Sequence, residues 1–318
     1  MEGLPIDTSH PAVRDYLSLI RLQVLTPLSL LINIATVMVC TIVVSPSLDE
    51  ISREYPTSLT PKPWMIAVYV VAVYLLQVGF CLLLVIARKP ETKQTLIKGV
   101  GQSLVWANWT MAGWAAAFLL QQFLVATVLV GITTLILLLS NLKLLWLYPP
   151  TNKRPIDTAL IHAPLRLFLI LPFGLLLWQS LFITIGYSWN PGTPQHYARH
   201  QWAGFGVVIG FNILSLLIVI FRRDVVWCAG ATWLAASLWS QTPKPMPIQT
   251  TETVFTVVHP VALACATLYL FLRHKDRRQE DEEPSHGPIH LPPDAENAAN
   301  GGGHSNGPRE VDAQAVWG

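Results

Sequence analysis

Long apolar stretches alternate with short polar ones along most of the chain, and this pattern predicts membrane-spanning helices. A hydrocarbon core about 30 Å thick requires roughly 20 apolar residues in a helix that rises about 1.5 Å per residue. The sequence therefore predicts an all-α, polytopic transmembrane helical bundle of about eight spans. The windows that reach this length are 24–45, 65–87, 101–120, 123–147, 166–188, 202–221, 225–241 and 251–272, of which the seventh is the shortest.

Composition supports a bilayer environment. Charged residues are 13% of the chain and apolar residues 52%, whereas a typical soluble domain has about 25% charged residues. A chain this apolar cannot cover its surface with groups that water solvates, so the lipid bilayer is its predicted partner. The formal net charge of +2 gives no indication of nucleic-acid binding, because the basic residues are accounted for by topology.

The distribution of Lys and Arg predicts the orientation of the spans, because cytoplasmic flanks collect these residues. With eight spans, only Arg53, Lys62, Arg199 and Lys244 fall on the exoplasmic side. Both termini are then cytoplasmic, and the organelle is left open. The basic residues assigned to the cytoplasmic side are Arg14, Arg21, Arg88, Lys89, Lys93, Lys98, Lys143, Lys153, Arg154, Arg166, Arg222, Arg223, Arg273, Lys275, Arg277 and Arg278.

The chain divides into three predicted regions: a cytoplasmic N-terminal segment (1–23), the transmembrane helical domain (24–272) and a tail (273–318). Apolar residues in the first segment recur at helical spacing from Val13 to Ile20, which fits either an interfacial amphipathic helix or an ordinary extension of the first span. The tail is acidic, then rich in Pro, Gly and Asn, so it is predicted to be disordered.

Asn108 begins a formal glycosylation acceptor, Asn108-Trp109-Thr110, but it lies inside the third predicted span. On a helix with about 100° per residue, it points away from the neighbouring tryptophans and toward a face of small residues. Such a face suits a close helix–helix contact, with the amide bonding across it. The predicted helix-packing residues are Gly101, Asn108, Ala112 and Ala115.

Candidate chemistry is sparse. The sequence contains no recognisable catalytic motif, so an enzyme is not predicted, although it is not excluded, and no cofactor is indicated. His196 and His200 have the spacing of a metal-binding pair without an adjacent carboxylate, so no metal site is predicted. His259 is the only ionisable group well inside a span, and no buried Asp or Glu is expected there. That expectation argues against an ion-coupled transporter.

Four of the twelve tryptophans lie deep in predicted spans rather than at span ends. Deep indoles either pack against neighbouring helices or line a pocket for a flat apolar ligand, and each needs an acceptor for its N–H. His259 precedes a proline in the last span and could bind the same ligand or serve only in packing. The candidate ligand-binding residues are Trp109, Trp114, Trp178, Trp233 and His259.

Several stretches resemble a fungal family of multi-pass membrane proteins of unknown function: IHAPLRLFLILPF from residue 161, WAGFGVVIGFN from 202 and FRRDVVWCAGATWLAASLWS from 221. The order of features is more distantly similar to the tryptophan-rich sensory protein (TspO/translocator) group. The counterparts are Pro63-Trp64, the region of Asn108, and Arg166 to Phe173. This resemblance implies a pocket for tetrapyrrole-like or sterol-like ligands, although the TspO group has five helices.

Two hypotheses about function follow. The first is an integral membrane protein that binds or transports a small hydrophobic ligand in an intramembrane pocket. The alternative is a non-catalytic membrane scaffold or assembly factor whose tail recruits protein partners, which the sequence does not identify.

Overall fold

The computed structural model describes residues 11–150, 155–193 and 196–282, and it assigns α-helices and no strand in that part of the chain. Three short π-helical segments, Val39–Val43, Thr95–Val100 and Pro172–Leu176, continue or join helices. The α-helices are α1 Pro11–Met38, α2 Leu48–Glu54, α3 Pro63–Ile86, α4 Pro90–Gln94, α5 Ser103–Leu119, α6 Phe123–Leu147, α7 Pro155–Leu171, α8 Leu177–Thr184, α9 Gln201–Arg222, α10 Val225–Trp239 and α11 Met246–Glu282.

Within the residues that the structure describes, six helical stretches are long and apolar enough to cross a membrane. The prediction of a multi-pass helical membrane protein is therefore confirmed. The third and seventh predicted spans are also helical, but α5 has 17 residues and α10 has 15, so the count of eight is supported only in part. The six are Val13–Val43, Pro63–Ile86, Phe123–Leu147, Ala159–Thr184, Gln201–Arg222 and Met246–Arg273.

Several helices extend beyond the predicted windows. Helix α1 runs without a break from Pro11 into the first span, and α7 begins at Pro155 rather than at residue 166. Helix α11 continues to Glu282, so the tail predicted to be disordered from residue 273 begins with helix. The rest of the predicted tail and residues 1–10 lie outside the described part of the chain. The described residues up to Leu270 form one compact unit, and those from Phe271 onward belong to another. The packing below concerns the first.

The centre of the bundle is an antiparallel hairpin of α5 and α6, closed by a three-residue turn at 120–122. Helix α1 packs against α5, α8 packs against α6, and α7 contacts α3, α6 and α10. These helices share one apolar core, while a smaller cluster of Leu59, Phe182, Val208 and Ile248 lies beside it. The outward faces are also apolar, as Val71, Leu75, Leu82 and Val85 on α3 illustrate, which suits contact with lipid.

Gly230 allows the short helix α10 to lie close to its neighbours. A β-carbon at this position would lie 2.8 Å from Ile170 Cδ1 and 2.9 Å from Leu167 Cδ2, both on α7. It would also lie 3.1 Å from the Tyr69 hydroxyl on α3. Because glycine has no side chain, α10 enters the contact between α3 and α7 as a buried helix.

Three amides connect α1, α3 and α5 inside the bundle. Asn33 Nδ2 donates to Asn108 Oδ1 at 2.9 Å, and Asn108 Nδ2 donates to Gln77 Oε1 at 2.8 Å. All three side chains are fully buried. Such bonds hold helices together in lipid, where no hydrophobic driving force acts between them. This amide chain therefore fixes the relative positions of three helices.

A buried ion pair ties α7 to the connection between α9 and α10. Arg166 lies 2.6 Å from Asp224 Oδ2, with side-chain exposures of 12% and 5%. The other carboxylate oxygen of Asp224 accepts from the Trp227 backbone N–H at 3.1 Å and so caps α10. One carboxylate therefore both neutralises a buried guanidinium and begins a helix.

Replacing Asn108 with alanine should lower the free energy of unfolding by about 1 kcal/mol, since two inter-helix hydrogen bonds of about 0.6 kcal/mol each are lost. Thr41→Ala is the matched control, because the exposed Thr41 hydroxyl bonds only within its own helix. Unfolding of the purified protein in mixed micelles measures both. Equal destabilisation of the two variants would contradict the assignment of Asn108 to helix contacts.

Asp224→Asn should destabilise the protein by roughly 3 kcal/mol, because it leaves the Arg166 charge buried without a partner. Asparagine retains the ability to cap α10, so the effect isolates the charge. The double variant Arg166→Gln/Asp224→Asn should recover most of this loss in the same unfolding assay. No recovery would mean that the two residues act independently.

Candidate functional site

Trp114 is buried and its indole donor is satisfied within the protein. Its Nε1 donates to Ser180 Oγ on α8 at 3.1 Å. An aromatic series continues from its ring through Phe118 and Phe123 to Tyr55, with ring centroids 4.9–5.5 Å apart. The contacts of Trp114 are those of a packing residue in the main core.

Trp178 and Trp233 donate to backbone carbonyls on different elements. Trp178 Nε1 donates to Phe173 O at 2.9 Å, in the π-helical segment before α8. Trp233 Nε1, on α10, donates to Met65 O on α3 at 2.8 Å. Trp178 packs against the smaller apolar cluster and Trp233 against the main one. The Trp233 indole thus connects two helices, whereas the Trp178 indole bonds within its own helical stretch.

Trp109 is 44% exposed on the outer surface of α5. The four deep tryptophans therefore face different surroundings, and the three satisfied indole N–H groups point to acceptors on three different elements. The structure does not bring them together around one ligand, and their assignment to a ligand site stays a prediction.

The predicted packing residues are placed in two settings. Asn108, Ala112 and Ala115 are buried along α5, with Asn108 at the centre of the amide chain. Gly101 lies outside the helix, in the turn before α5, with a φ of +53°. This is a left-handed conformation that glycine adopts without steric cost.

His259 is fully buried between α9 and α11. Its Nε2 lies 3.3 Å from the backbone oxygen of Asn212 on α9, and its ring lies 5.4 Å from that of Phe255. The Asn212 amide donates to Glu252 Oε2 on α11 at 3.0 Å and to Val208 O at 2.9 Å. We call Asn212, Ser215, Glu252 and His259 the α9–α11 polar cluster.

Three atoms of the polar cluster have no hydrogen-bond partner: Asn212 Oδ1, Ser215 Oγ and His259 Nδ1. All three side chains are fully buried. An unpaired polar atom in an apolar interior costs about 1–3 kcal/mol, and native proteins leave few of them. Here three unpaired atoms lie on the two facing helices α9 and α11. The contact between these helices is therefore suited to an additional polar group, supplied by water or by a ligand.

Glu252 corrects the expectation that no acidic residue is buried in a span. It lies one residue inside the eighth predicted window and is only 1% exposed. The sequence signal was present, because Glu252 precedes His259 by seven residues and so shares its helix face. The argument against an ion-coupled transporter, which relied on the absence of buried acidic residues from the spans, therefore fails.

One end of the bundle carries α2, and we call it the α2 end. Lys244 and the segment Pro56–Pro61 close this end. All six residues of the segment are buried. Lys244 Nζ donates to Ser58 O at 3.1 Å and Thr60 O at 2.7 Å. Gly204 allows this approach, because a β-carbon there would collide with the Ser58 hydroxyl. A buried ammonium thus holds the segment across α9 and α11.

The Lys244 ammonium also borders an open cleft of about 130 Å³ at the α2 end. Burial lowers the pKa of Lys244 from 10.5 to about 7, and the attraction of Glu252 opposes that shift. The cleft is smaller than the 300–1,000 Å³ of usual organic-ligand pockets. It is lined by Arg53, Pro56, Thr57, Thr60, Trp189, Gln241, Thr242, Pro243 and Lys244.

His200, one residue of the H-x-x-x-H pair, makes an aromatic contact. The His200 ring stacks on Tyr187 with centroids 4.3 Å apart. No group of three or more His, Cys, Asp or Glu side chains that could hold a metal ion occurs in the part of the chain searched, which is limited to the described residues.

Comparison with known proteins supports the resemblance drawn from the sequence. Neither the search of curated proteins nor that of solved structures finds a match. One family model does match, and it covers most of the chain. It includes all six membrane-length helical stretches, except for the first residues of the first stretch and the last residue of the last one. Because that model, described as TSPO-like protein, matches residues 23–272, the chain belongs to the TSPO-like protein family.

Proposed function

We propose that this protein binds a small hydrophobic ligand within the membrane, between α9 and α11. The observation that carries the proposal is the set of three unpaired polar atoms in the α9–α11 polar cluster. Family membership supports a hydrophobic ligand in general. Of the five residues predicted for the ligand site, the proposal places His259 at its polar end.

The polar cluster indicates what the ligand must carry. If His259 Nε2 donates to the Asn212 carbonyl, the other nitrogen of the neutral ring is an acceptor. The free Asn212 Oδ1 is also only an acceptor, whereas the Ser215 hydroxyl both donates and accepts. A ligand must therefore supply a hydrogen-bond donor. A sterol-like hydroxyl or a pyrrole N–H meets this requirement, and a ketone does not.

Helix α11 provides the route of entry. Only 6% of the most apolar part of this span is buried, against 67% of the span formed by α7 and α8. Among residues 246–273 of α11, whose side chains are described, Ile248, Glu252 and His259 are buried and the others are partly or fully exposed. A ligand dissolved in the bilayer reaches the polar cluster when this weakly packed helix moves away from α9.

Cholesterol should bind saturably to the purified protein, and cholest-4-en-3-one should bind about tenfold more weakly, because the ketone cannot satisfy the free acceptors. Ser215→Ala and His259→Phe should each weaken sterol binding about fivefold. Displacement of a fluorescent sterol in detergent micelles measures the four affinities. A porphyrin titration in the same assay tests the pyrrole N–H as the donor.

Thr267→Ala is the matched control on α11, because this exposed hydroxyl bonds only to carbonyls of its own helix. It should leave sterol affinity unchanged. The proposal fails if neither the sterol nor the porphyrin binds saturably, or if the ketone binds as well as the sterol. Loss of binding in Trp178→Phe and Trp233→Phe with normal binding in His259→Phe would move the site to the tryptophans.

The alternative function, a scaffold whose tail recruits partners, depends on residues 273–318. Helix α11 covers the first ten of these, and the remainder lies outside the described residues. The scaffold hypothesis stays a prediction.

We also propose that α5 and α10 cross the membrane, which gives eight spans with both termini cytoplasmic. At about 1.5 Å per residue, their 17 and 15 residues reach about 25 and 22 Å, somewhat less than a core of about 30 Å. Both helices are buried among longer helices, which shield their ends from lipid. This burial supports the proposal that such short helices cross the membrane. In this topology the α2 end is exoplasmic, and the basic clusters lie on the other side.

A glycosylation acceptor introduced at residues 190–192 should be modified if α5 crosses, since that loop is then exoplasmic; with only six spans it would be cytoplasmic. Tags at both termini should be cleaved by protease added from the cytoplasmic side if α10 crosses as well. The native Asn108 should remain unmodified, because it is buried within the bundle. Glycosidase gel shifts and protease protection in sealed vesicles provide the measurements, and an unmodified loop acceptor would contradict eight spans.

A further inference from the structure

The cleft at the α2 end has a composition unlike the rest of the bundle surface. Of its nine lining residues, two are basic and none is acidic. Three threonines, a glutamine and an indole provide further polar groups, and prolines form the apolar part of the wall. The site is therefore electropositive and rich in hydrogen-bond donors.

Lys244 gives the cleft a buried positive charge that is not fully satisfied. Its side chain is 6% exposed, and its ammonium donates to two backbone carbonyls. An ammonium has three donors, so one remains without a partner in the described structure. Its hydrogen bonds reach only neutral carbonyls, and the attraction of Glu252 does not offset its burial, because the pKa of Lys244 is still lowered. An anion beside this ammonium would therefore be stabilised.

Arg53 supplies the second charge, at the rim. It lies on α2 with 69% of its side chain exposed, and its Nη2 is 2.5 Å from Asp49 Oδ2. A guanidinium has five N–H donors in a planar fork. The contact with Asp49 therefore leaves donors for another oxygen anion.

We propose that this cleft binds a phosphate group, either free phosphate or the headgroup of an anionic lipid. Lys244 holds the group from inside the cleft and Arg53 from its rim. The cleft of about 130 Å³ is below the 300–1,000 Å³ of usual organic-ligand pockets, which suits a group as small as phosphate. None of its lining residues belongs to the α9–α11 polar cluster, so the two sites are separate.

The charges around Lys244 predict how binding depends on pH. Arg53 and Glu252 face it from α2 and α11, and Asp49 is engaged by Arg53. With a pKa of about 7, the ammonium is present below pH 7 and is lost as the pH rises through that value. Affinity for an anion of constant charge should therefore fall about tenfold between pH 6 and pH 8.

Calorimetric titration of the full-length protein in a non-ionic detergent tests the proposal with two probes. Inorganic phosphate represents the free anion, and dihexanoyl phosphatidylglycerol represents the lipid headgroup. At pH 6 at least one should bind saturably, with a Kd of about 1 mM or lower. The tighter of the two identifies the source of the phosphate. Dimethyl phosphate, which keeps one charge from pH 6 to pH 8, is the probe for the pH series.

Arg53→Gln should weaken binding about fivefold, the effect of one exposed charge, and Arg199→Gln should change it less than twofold. Arg199 is the matched control, because it is an exposed basic residue outside the cleft. Lys244→Gln, assayed only if it remains monodisperse, should abolish the pH dependence. The proposal is overturned if neither probe binds saturably, if the two arginine variants behave alike, or if dimethyl phosphate binding is independent of pH in the unmodified protein.

Discussion

Asn108 accepts a hydrogen bond from Asn33 and donates one to Gln77, so a single side chain on α5 holds α1 and α3 in place. The bilayer makes this interaction decisive, because lipid offers no water to an unpaired amide. Apolar faces alone would allow the helices to slide or rotate against each other, since lipid tails are as apolar as leucine. The amides select one arrangement, and the α5–α6 hairpin at the centre then positions α7 and α8.

The same constraint distinguishes the structural polar groups from the candidate functional ones. Arg166 is neutralised by Asp224, and the indoles of Trp114 and Trp233 each reach an acceptor on another helix. Between α9 and α11 the pairing is incomplete. Buried polar atoms left without partners cost stability, and such costs are concentrated at functional sites in folded proteins. Asn33 and Gln77 also leave one atom each unpaired, but three unpaired atoms lie together on the facing helices α9 and α11. Because α11 is also the least buried of the membrane-length helices described, the ligand is placed there.

Two chemically different sites follow from this distribution of polar groups. The α9–α11 polar cluster combines acceptors with an apolar surrounding and a route from the lipid. The cleft at the α2 end combines a buried ammonium with an exposed guanidinium and shares no lining residue with that cluster. Lys244 belongs to the cleft, but it also anchors the segment Pro56–Pro61 across α9 and α11. An anion that stabilises the Lys244 ammonium would therefore also stabilise this closure.

The sequence by itself determined the membrane class, the approximate positions of the long apolar helices and the family resemblance, because span length, apolar periodicity and local motifs are properties of contiguous residues. It also placed Asn108 on a small-residue helix face. Only the tertiary structure decided which polar side chains meet, since Asn33, Gln77 and Asn108 are distant in the chain, as are Asn212 and Glu252. Tryptophan depth in a span did not reveal that Trp109 faces outward while three other indoles have acceptors. Hydrogen-bond satisfaction depends on neighbouring helices, and periodicity along one helix does not specify them.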